Sequence, residues 1–205
     1  MTKIEIDNLD DLIKKNYPIE YIKKIIDEVL SVSMPVKNDY PDYRQWFLSK
    51  QVPGIYDGSR NIIVAHISGQ MVGFVSLKKD DIEKKICTFY ITKSFRKNKI
   101  GTTLAAKSIE WLEYEKPLIT IPADKLGSFL RISKKYNWEM TDIKDGLYRT
   151  NNPEIILNGS IAVNNLEIVQ EKAKTKSLSN IYFFYKLHQF KNSLFLYNLI
   201  FKKAR

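Results

Sequence analysis

The sequence has little cysteine, histidine, glycine or proline. A single cysteine, Cys87, excludes an internal disulfide framework, and only two histidines, His66 and His188, argue against a multi-histidine metal site. Eight glycines and seven prolines in 205 residues are too few for a low-complexity or disordered chain. We therefore expect a folded protein without a bound metal, in a reducing and cytoplasmic setting.

Long apolar runs are also missing. No run approaches the roughly 18 to 20 apolar residues that cross a bilayer, and the N-terminal segment has no apolar stretch of signal-peptide length. We expect neither a membrane span nor secretion. Hydrophobic residues make up 44% of the chain, which is enough to build a sizeable core.

Positive charge is concentrated near the C-terminus. The net charge is +10, and residues 160–205 hold eight Lys and Arg against two Glu, which gives +6 there and leaves +4 for the first 159 residues. The same segment is dense in aromatic residues at helical spacing. We predict one principal domain over residues 1–159 and a basic, aromatic helical extension over residues 160–205.

Two interpretations of this extension stay open. Interleaved aromatic and basic side chains can stack on nucleic acid bases and contact phosphates, or insert at an anionic membrane surface. Alternatively, the helices pack their aromatic face on the domain or on a second subunit to form a homodimer. The high apolar content of the segment favours packing over nucleic acid binding.

The first 159 residues show the pattern of a mixed α/β sheet with an antiparallel first half. Helical spacing alternates with short β-rich runs, and Pro53 with Gly54 is expected to end the second helix. We predict strands over residues 3–6, 61–67, 71–79, 84–92, 117–121, 138–143 and 153–158. We predict helices over residues 19–32 and 40–52, a loop followed by a helix over residues 94–114, and a helix capped by Asp124 over residues 124–136.

The loop between the third of the three strands and the next helix combines features of a pyrophosphate site. A helix N-terminus presents free backbone N–H groups and carries about half a positive charge. Here Arg96, Lys97 and Lys99 add charge, Thr102 offers a hydroxyl, and Gly101 lets the backbone approach a phosphate. A solvated basic turn would show the same six residues, but the strand, loop and helix occur in the order that such a site requires.

At this loop the sequence resembles the GNAT superfamily of acetyltransferases over about residues 3–158. The family's acetyl-CoA loop has Arg or Gln, two residues, Gly, one residue, and Gly or Ala. The segment RKNKIG supplies Arg96 first and Gly101 last, with Lys99 in the first glycine slot. A lysine can follow the loop path there if its φ is negative.

The resemblance implies a fold, a donor and a set of binding residues. It implies a mostly antiparallel sheet with a splayed central strand pair flanked by helices. It also implies acetyl-CoA as the acyl donor, bound without a metal. The cofactor-binding residues that it implies are Phe89, Tyr90, Ile91, Arg96, Lys97, Asn98, Lys99, Ile100, Gly101 and Thr102. For the three strand residues, side chains that belong to the core are favoured over direct cofactor contact.

Acyl transfer to an amine needs a base, and Glu83 is the first candidate. Its offset from Arg96 resembles that of the glutamate base in histone-acetylating members of the superfamily. A charged hairpin residue in KDDIEKK is the alternative interpretation. Cys87, in the middle of a strand, is expected to be a small buried hydrophobe rather than an acyl-carrying nucleophile.

The general acid that would protonate the departing thiolate is harder to assign. Many family members carry a tyrosine four residues before a Gly-Phe pair, but Asn137 and Trp138 replace this pair and put Ser133 in the tyrosine slot. Tyr136 is the nearby candidate, although a tyrosine at a helix end commonly packs with its hydroxyl at the surface. Solvent is the alternative proton source.

The sequence therefore predicts an enzyme that transfers an acetyl or short acyl group from acetyl-CoA to a primary amine in a ternary complex. The acceptor stays open between a small molecule, a protein amine and an aminoacyl-tRNA. The resemblance implies an acceptor pocket built from the first two helices and the later loops. Tyr43, Trp46 and Tyr148 lie in these segments and are expected to form an aromatic wall of that pocket. The alternative is a catalytically inactive module of the same fold whose basic extension binds nucleic acid or a partner protein.

Overall fold

A seven-stranded sheet organises the computed structural model, which describes residues 3–150 and 152–161. The spatial order of the strands is β1-β2-β3-β4-β5-β7-β6, and every neighbouring pair is antiparallel except β4 with β5. The strands are β1 (Glu5–Asn8), β2 (Arg60–Ile67), β3 (Gln70–Lys79), β4 (Lys84–Ile91), β5 (Leu118–Pro122), β6 (Met140–Lys144) and β7 (Glu154–Leu157). The predicted mixed, mostly antiparallel sheet is confirmed.

Helices cover both faces of this sheet, because the central strands are apolar on both sides. On β2, Ile63 packs into the core beneath α5 and α6, whereas Ile62 and Val64 pack into the core beneath α2. The α-helices are α1 (Leu9–Lys14), α2 (Ile19–Val32), α3 (Tyr43–Trp46), α4 (Val52–Tyr56), α5 (Ile100–Leu112) and α6 (Leu126–Lys135). None of the helices in the described ranges is long and apolar enough to cross a bilayer.

The hairpin between β2 and β3 has the tight turn that the sequence indicates. Ser68 and Gly69 both have positive φ, at 50° and 75°, and Ile67 pairs with Gln70 across them. Two consecutive left-handed residues match the right-handed twist of the flanking strands. The turn sets the pairing at the start of the hairpin, and a β-bulge between Ala65 and His66 shifts the register of the rest.

Three local expectations are wrong. The short helix α1 was not expected, since six residues are too few to show a helical period. Pro53 does not end the second predicted helix: a π-helical turn over Phe47–Gln51 separates α3 from α4, and Pro53 lies in the first turn of α4, where proline is tolerated. Asp124 does not cap α6 but accepts a hydrogen bond from Asn152.

The central strands β4 and β5 separate soon after they meet. They pair only at Lys85 with Leu118 and at Ile86 with Ile119, although β4 continues to Ile91. The splayed central pair implied by the resemblance is therefore present. Beyond Ile86 the two strands leave open a wedge whose edges carry unpaired backbone groups.

A β-bulge in β4 lies where this wedge begins. Ser76 of β3 pairs with Thr88, whereas the next residue, Leu77, pairs with Ile86, so Cys87 is the extra residue. A bulge leaves one residue out of the ladder and re-aims its neighbours. In consequence Cys87 and Thr88 both border the same cavity, although alternation along a regular strand would turn them to opposite faces.

The C-terminal extension that the sequence predicts lies, from residue 162 onward, outside the described residues. The proposed boundary at residues 159 and 160 stays a prediction, as do the homodimer and the nucleic acid alternative assigned to that segment. His188 also lies in this range.

Candidate functional site

A cavity of about 420 Å³ opens at the wedge between β4 and β5, on the side of α2 and α3. Its volume lies in the range of small-molecule sites. The three aromatic residues predicted to form a pocket wall, Tyr43, Trp46 and Tyr148, all line it. The lining residues are Tyr40, Pro41, Asp42, Tyr43, Trp46, Arg60, Lys78, Glu83, Lys85, Cys87, Thr88, Thr120, Leu147 and Tyr148.

Glu83, the predicted base, lines this cavity and is held by ion pairs. Its carboxylate lies 3.0 Å from Nζ of Lys78 and 4.0 Å from Nζ of Lys85. Its backbone N–H donates to Asp80, which fixes the turn before β4. Glu83 is therefore placed at the mouth of the wedge with its charge balanced by lysines.

Cys87 differs from the sequence expectation. It is not a fully buried core residue, because the bulge brings it to the cavity, where its Sγ lies 3.7 Å from an Arg60 nitrogen. Burial raises the pKa of the thiol, although nearby Lys85 and Arg60 act in the opposite direction. A thiol with a raised pKa is a poor nucleophile, so the geometry does not favour an acyl-cysteine.

The predicted pyrophosphate loop is exposed and leads into α5. Arg96 is fixed by a hydrogen bond from its Nε to the carbonyl of Ile91 at 3.2 Å. No side chain caps the N-terminus of α5, so its first N–H groups are open toward solvent. Cationic side chains next to open helix amides suit a pyrophosphate, and the residues present therefore fit the CoA phosphates.

The loop backbone adopts a strained conformation at two lysines. Lys97 has φ of 72° and Lys99 has φ of 63°, both in the left-handed region. The condition of a negative φ at Lys99 is not met, because this position keeps the conformation that a glycine would adopt. A side chain in this region costs about 1 kcal/mol, and such strain is concentrated at functional loops.

Gly101 serves the packing of α5 on the sheet. A Cβ at this position would lie 3.1 Å from Cδ1 of Ile91 and 3.6 Å from Cδ1 of Ile132. Ile91 and Phe89 thus face α5 and α6, and Phe89 also meets Phe129 edge to face at 5.5 Å. Because Gly101 has no side chain, the N-terminus of α5 can pack close to β4. This role is additional to the phosphate approach expected from sequence.

The other sequence-predicted residues lie around the wedge or away from it. Tyr90 points to the face opposite Phe89, where its ring packs 5.9 Å from Phe74. Tyr136 ends α6 and stacks on Trp138 with ring centroids 6.0 Å apart. It does not line the cavity, so the structure does not bring it together with Glu83.

Sequence analysis missed a buried carboxyl behind the cavity wall. Glu154, the first residue of β7, is 1% exposed and accepts a hydrogen bond from the Tyr40 hydroxyl at 3.4 Å. Burial raises its pKa to about 8, against the opposing effects of Tyr40 and Arg149. Burial also raises the pKa of Tyr40. The only sequence signal was a single acid at the start of the apolar run EIIL.

No group of three or more His, Cys, Asp or Glu side chains among residues 3–150 and 152–161 is arranged to hold a metal ion.

Comparison with known proteins identifies one family. The model of the acetyltransferase (GNAT) family matches residues 21–116. No curated protein matches the chain.

Solved structures with the same fold include a putative GNAT acetyltransferase from Desulfovibrio desulfuricans, at a TM-score of 0.54 and 10% identity over 76% of this chain and 97% of that one. An aminoglycoside 6'-N-acetyltransferase complexed with coenzyme A has a TM-score of 0.48 and 14% identity over 75% and 94%. A nourseothricin acetyltransferase has a TM-score of 0.45 and 13% identity over 49% of this chain, which spans 65% of its length.

The left-handed lysine gives a testable stability difference. We expect the Lys99→Gly variant to be more stable than Lys99→Ala by about 1 kcal/mol, because both lose the charge but only alanine keeps the Cβ that clashes at positive φ. Urea unfolding of both variants measures the difference. The pair Lys107→Gly and Lys107→Ala, inside α5, should show the opposite order, since glycine weakens a helix interior. Equal stability of the two Lys99 variants would contradict the left-handed conformation.

Glu154 predicts how stability depends on pH. Between its ordinary pKa of 4.5 and its folded-state pKa of about 8, the folded protein holds a proton that the unfolded chain has released. Stability therefore falls as pH rises through this window. We expect Glu154→Gln to flatten this decline, measured by urea unfolding from pH 5 to 9. Glu110→Gln, at an exposed ion pair on α5, is the control and should keep the parent slope. Parallel curves for parent and Glu154→Gln would refute the raised pKa.

Proposed function

The chain carries a GNAT acetyltransferase domain, and we propose from this that it transfers an acetyl or other short acyl group from acetyl-CoA to a primary amine by direct attack in a ternary complex. The observation that carries the proposal is the wedge between β4 and β5, which pair at only two positions. The loop and α5 lie on one face, and the cavity lies on the other.

On the donor face, the open amides of α5 and the cations of the loop would hold the pyrophosphate. Arg96, Lys97 and Lys99 supply charge, and the backbone of Phe89 to Ile91 borders the wedge for the pantetheine arm. Acetyl-CoA, when bound, supplies the thioester carbonyl that the amine attacks and the thiol that leaves. The bulge at Cys87 leaves backbone groups out of the ladder where that carbonyl would lie.

On the acceptor face, Glu83 takes the proton that the ammonium must lose before it can attack. Its carboxylate borders the cavity, and Lys78 and Lys85 hold it in place. The departing thiolate needs a proton in return. Tyr136 stays the predicted acid, and solvent is the alternative, since Tyr136 lies at the end of α6 and away from the cavity.

Binding of acetyl-CoA tests the donor half of the proposal. At a free concentration 100 times its dissociation constant, acetyl-CoA should raise the free energy of unfolding by about 2.7 kcal/mol, which a thermal shift assay detects. S-acetylpantetheine lacks the pyrophosphate and should give a much smaller shift at the same concentration. Absence of a shift at millimolar acetyl-CoA would overturn the proposed function.

The role of Glu83 is tested by removing its charge. We expect Glu83→Gln to lower kcat about 100-fold or more at neutral pH, with little change in acetyl-CoA affinity, because the amide cannot accept the proton. Glu113→Gln is the matched control: Glu113 pairs with Lys79, the neighbour of Lys78 on β3, and does not line the cavity. Steady-state kinetics with an acceptor found by screening amines against labelled acetyl-CoA measures both. Unchanged kcat in Glu83→Gln would remove it as the base.

A further inference from the structure

Three cations form a row across the sheet on the acceptor face. The strand register pairs Arg60 of β2 with Lys78 of β3, and Lys78 with Lys85 of β4. All three line the cavity. Like charges directly opposite each other on neighbouring strands repel, so such a row is unfavourable unless anions compensate it. We call Arg60, Lys78 and Lys85 the cation row.

Carboxylates of the protein compensate only part of this row. Lys78 at its centre is paired twice, with Asp80 at 2.8 Å and Glu83 at 3.0 Å. Lys85 is 4.0 Å from Glu83, at the limit of an ion pair, and its side chain is only 16% exposed. In the described part of the chain no carboxylate lies within 4.0 Å of Arg60, which therefore has no counterion there.

Arg60 is held in position by uncharged neighbours. Its side chain fills the space beside Gly54, where a Cβ would lie 2.6 Å from Cδ of the arginine. The guanidinium lies 5.6 Å from the ring centroid of Trp46, and one nitrogen is 3.4 Å from Oε1 of Gln51. The same nitrogen lies 3.7 Å from Sγ of Cys87 at the bulge. The fold thus presents a fixed, uncompensated guanidinium next to the place of reaction.

A guanidinium in this position suits a planar or tetrahedral anion, because its donors match carboxylate and phosphate oxygens. Asp42 is the only carboxylate of the cavity lining besides Glu83, and it lies on the exposed segment before α3. The aromatic wall, which meets Arg60 at Trp46, supplies apolar contact area. The cavity therefore combines a cationic end, an aromatic wall and one base.

We propose that the acceptor is a small amine that also carries an anionic group, a carboxylate or a phosphate, bound by Arg60 and Lys85. The inference rests on the proposed acetyl transfer and names the class of its acceptor. The row lies inside a cavity of about 420 Å³ rather than on an open surface, which favours a small molecule over a nucleic acid or a protein chain. Polycationic amines are disfavoured, because they would be repelled by the row.

Binding to the cavity can be measured through Cys87, because it is the only cysteine of the chain. The full-length protein with saturating desulfo-CoA, which has no thiol to consume the reagent, is alkylated with iodoacetamide and followed by mass spectrometry. The reaction is run at alkaline pH, because burial raises the pKa of the Cys87 thiol. The probes are 3-phenylpropionate, phenyl phosphate and the neutral 3-phenylpropanamide. We expect a saturable slowing of alkylation, at least 5-fold, by the carboxylate or the phosphate and none by the amide. The midpoint is the probe concentration that gives half of the maximal protection. The anion with the lower midpoint carries the preferred group.

Variants assign this effect to the cation row. Arg60→Gln should raise the midpoint for the anion about 10-fold or more, which corresponds to loss of one charge-assisted contact. Lys84→Gln is the matched control, because it removes the same charge from the neighbouring position on β4, where Lys84 contacts Tyr114 outside the cavity. Circular dichroism verifies that each variant is folded. Midpoints are compared rather than absolute rates, because Arg60 is close to the thiol.

The outcomes separate this inference from the proposed function. Equal protection by anion and amide, no protection by any probe, or an unchanged midpoint in Arg60→Gln overturns the anionic subsite even when acetyl-CoA stabilises the protein. Failure of acetyl-CoA to bind overturns the proposed function even when the anions protect Cys87. Among amines acetylated in the screen, those with an acidic group should have the highest kcat/KM. A polycationic amine or a charged tRNA as the best acceptor contradicts the inference.

Discussion

The pairing between β4 and β5 lasts for only two residues, and the site depends on the separation that follows. A parallel pair that continued along β4 would satisfy its backbone groups and close the sheet. Separation after Ile86 instead leaves a gap between two strands that helices support on both faces. In the proposed function this gap is where a thioester and an amine meet, with the loop before α5 on one face and the cavity on the other.

The bulge at Cys87 works together with this separation. One extra residue turns Cys87 and Thr88 toward the same cavity and releases backbone groups from the ladder. The glycine at position 101 has a matching effect on the other face, where it brings α5 close to Ile91. Both features act on β4 between Cys87 and Ile91, beside the wedge.

Charge around the cavity is unevenly distributed. Cations of three strands meet on one side. The buried Glu154 behind Tyr40 has its pKa raised to about 8 by burial, against the opposing effect of Arg149. Glu83 lies between the two lysines of the cation row. A folded protein tolerates such unbalanced groups where ligands complete them, because selection for activity offsets the cost in stability.

The sequence by itself determined the order of the strands and of the helices α2, α5 and α6, the tight hairpin at Ser68 and Gly69, and the loop that leads from β4 into α5. These features depend on local periodicity and turn chemistry, which neighbouring residues encode. The tertiary structure alone decided the bulge at Cys87, the left-handed conformation of Lys99, and the union of Arg60, Lys78 and Lys85 with Glu83 in one cavity. Register between strands and the separation of β4 from β5 depend on packing between residues far apart in the chain, and no local pattern records them.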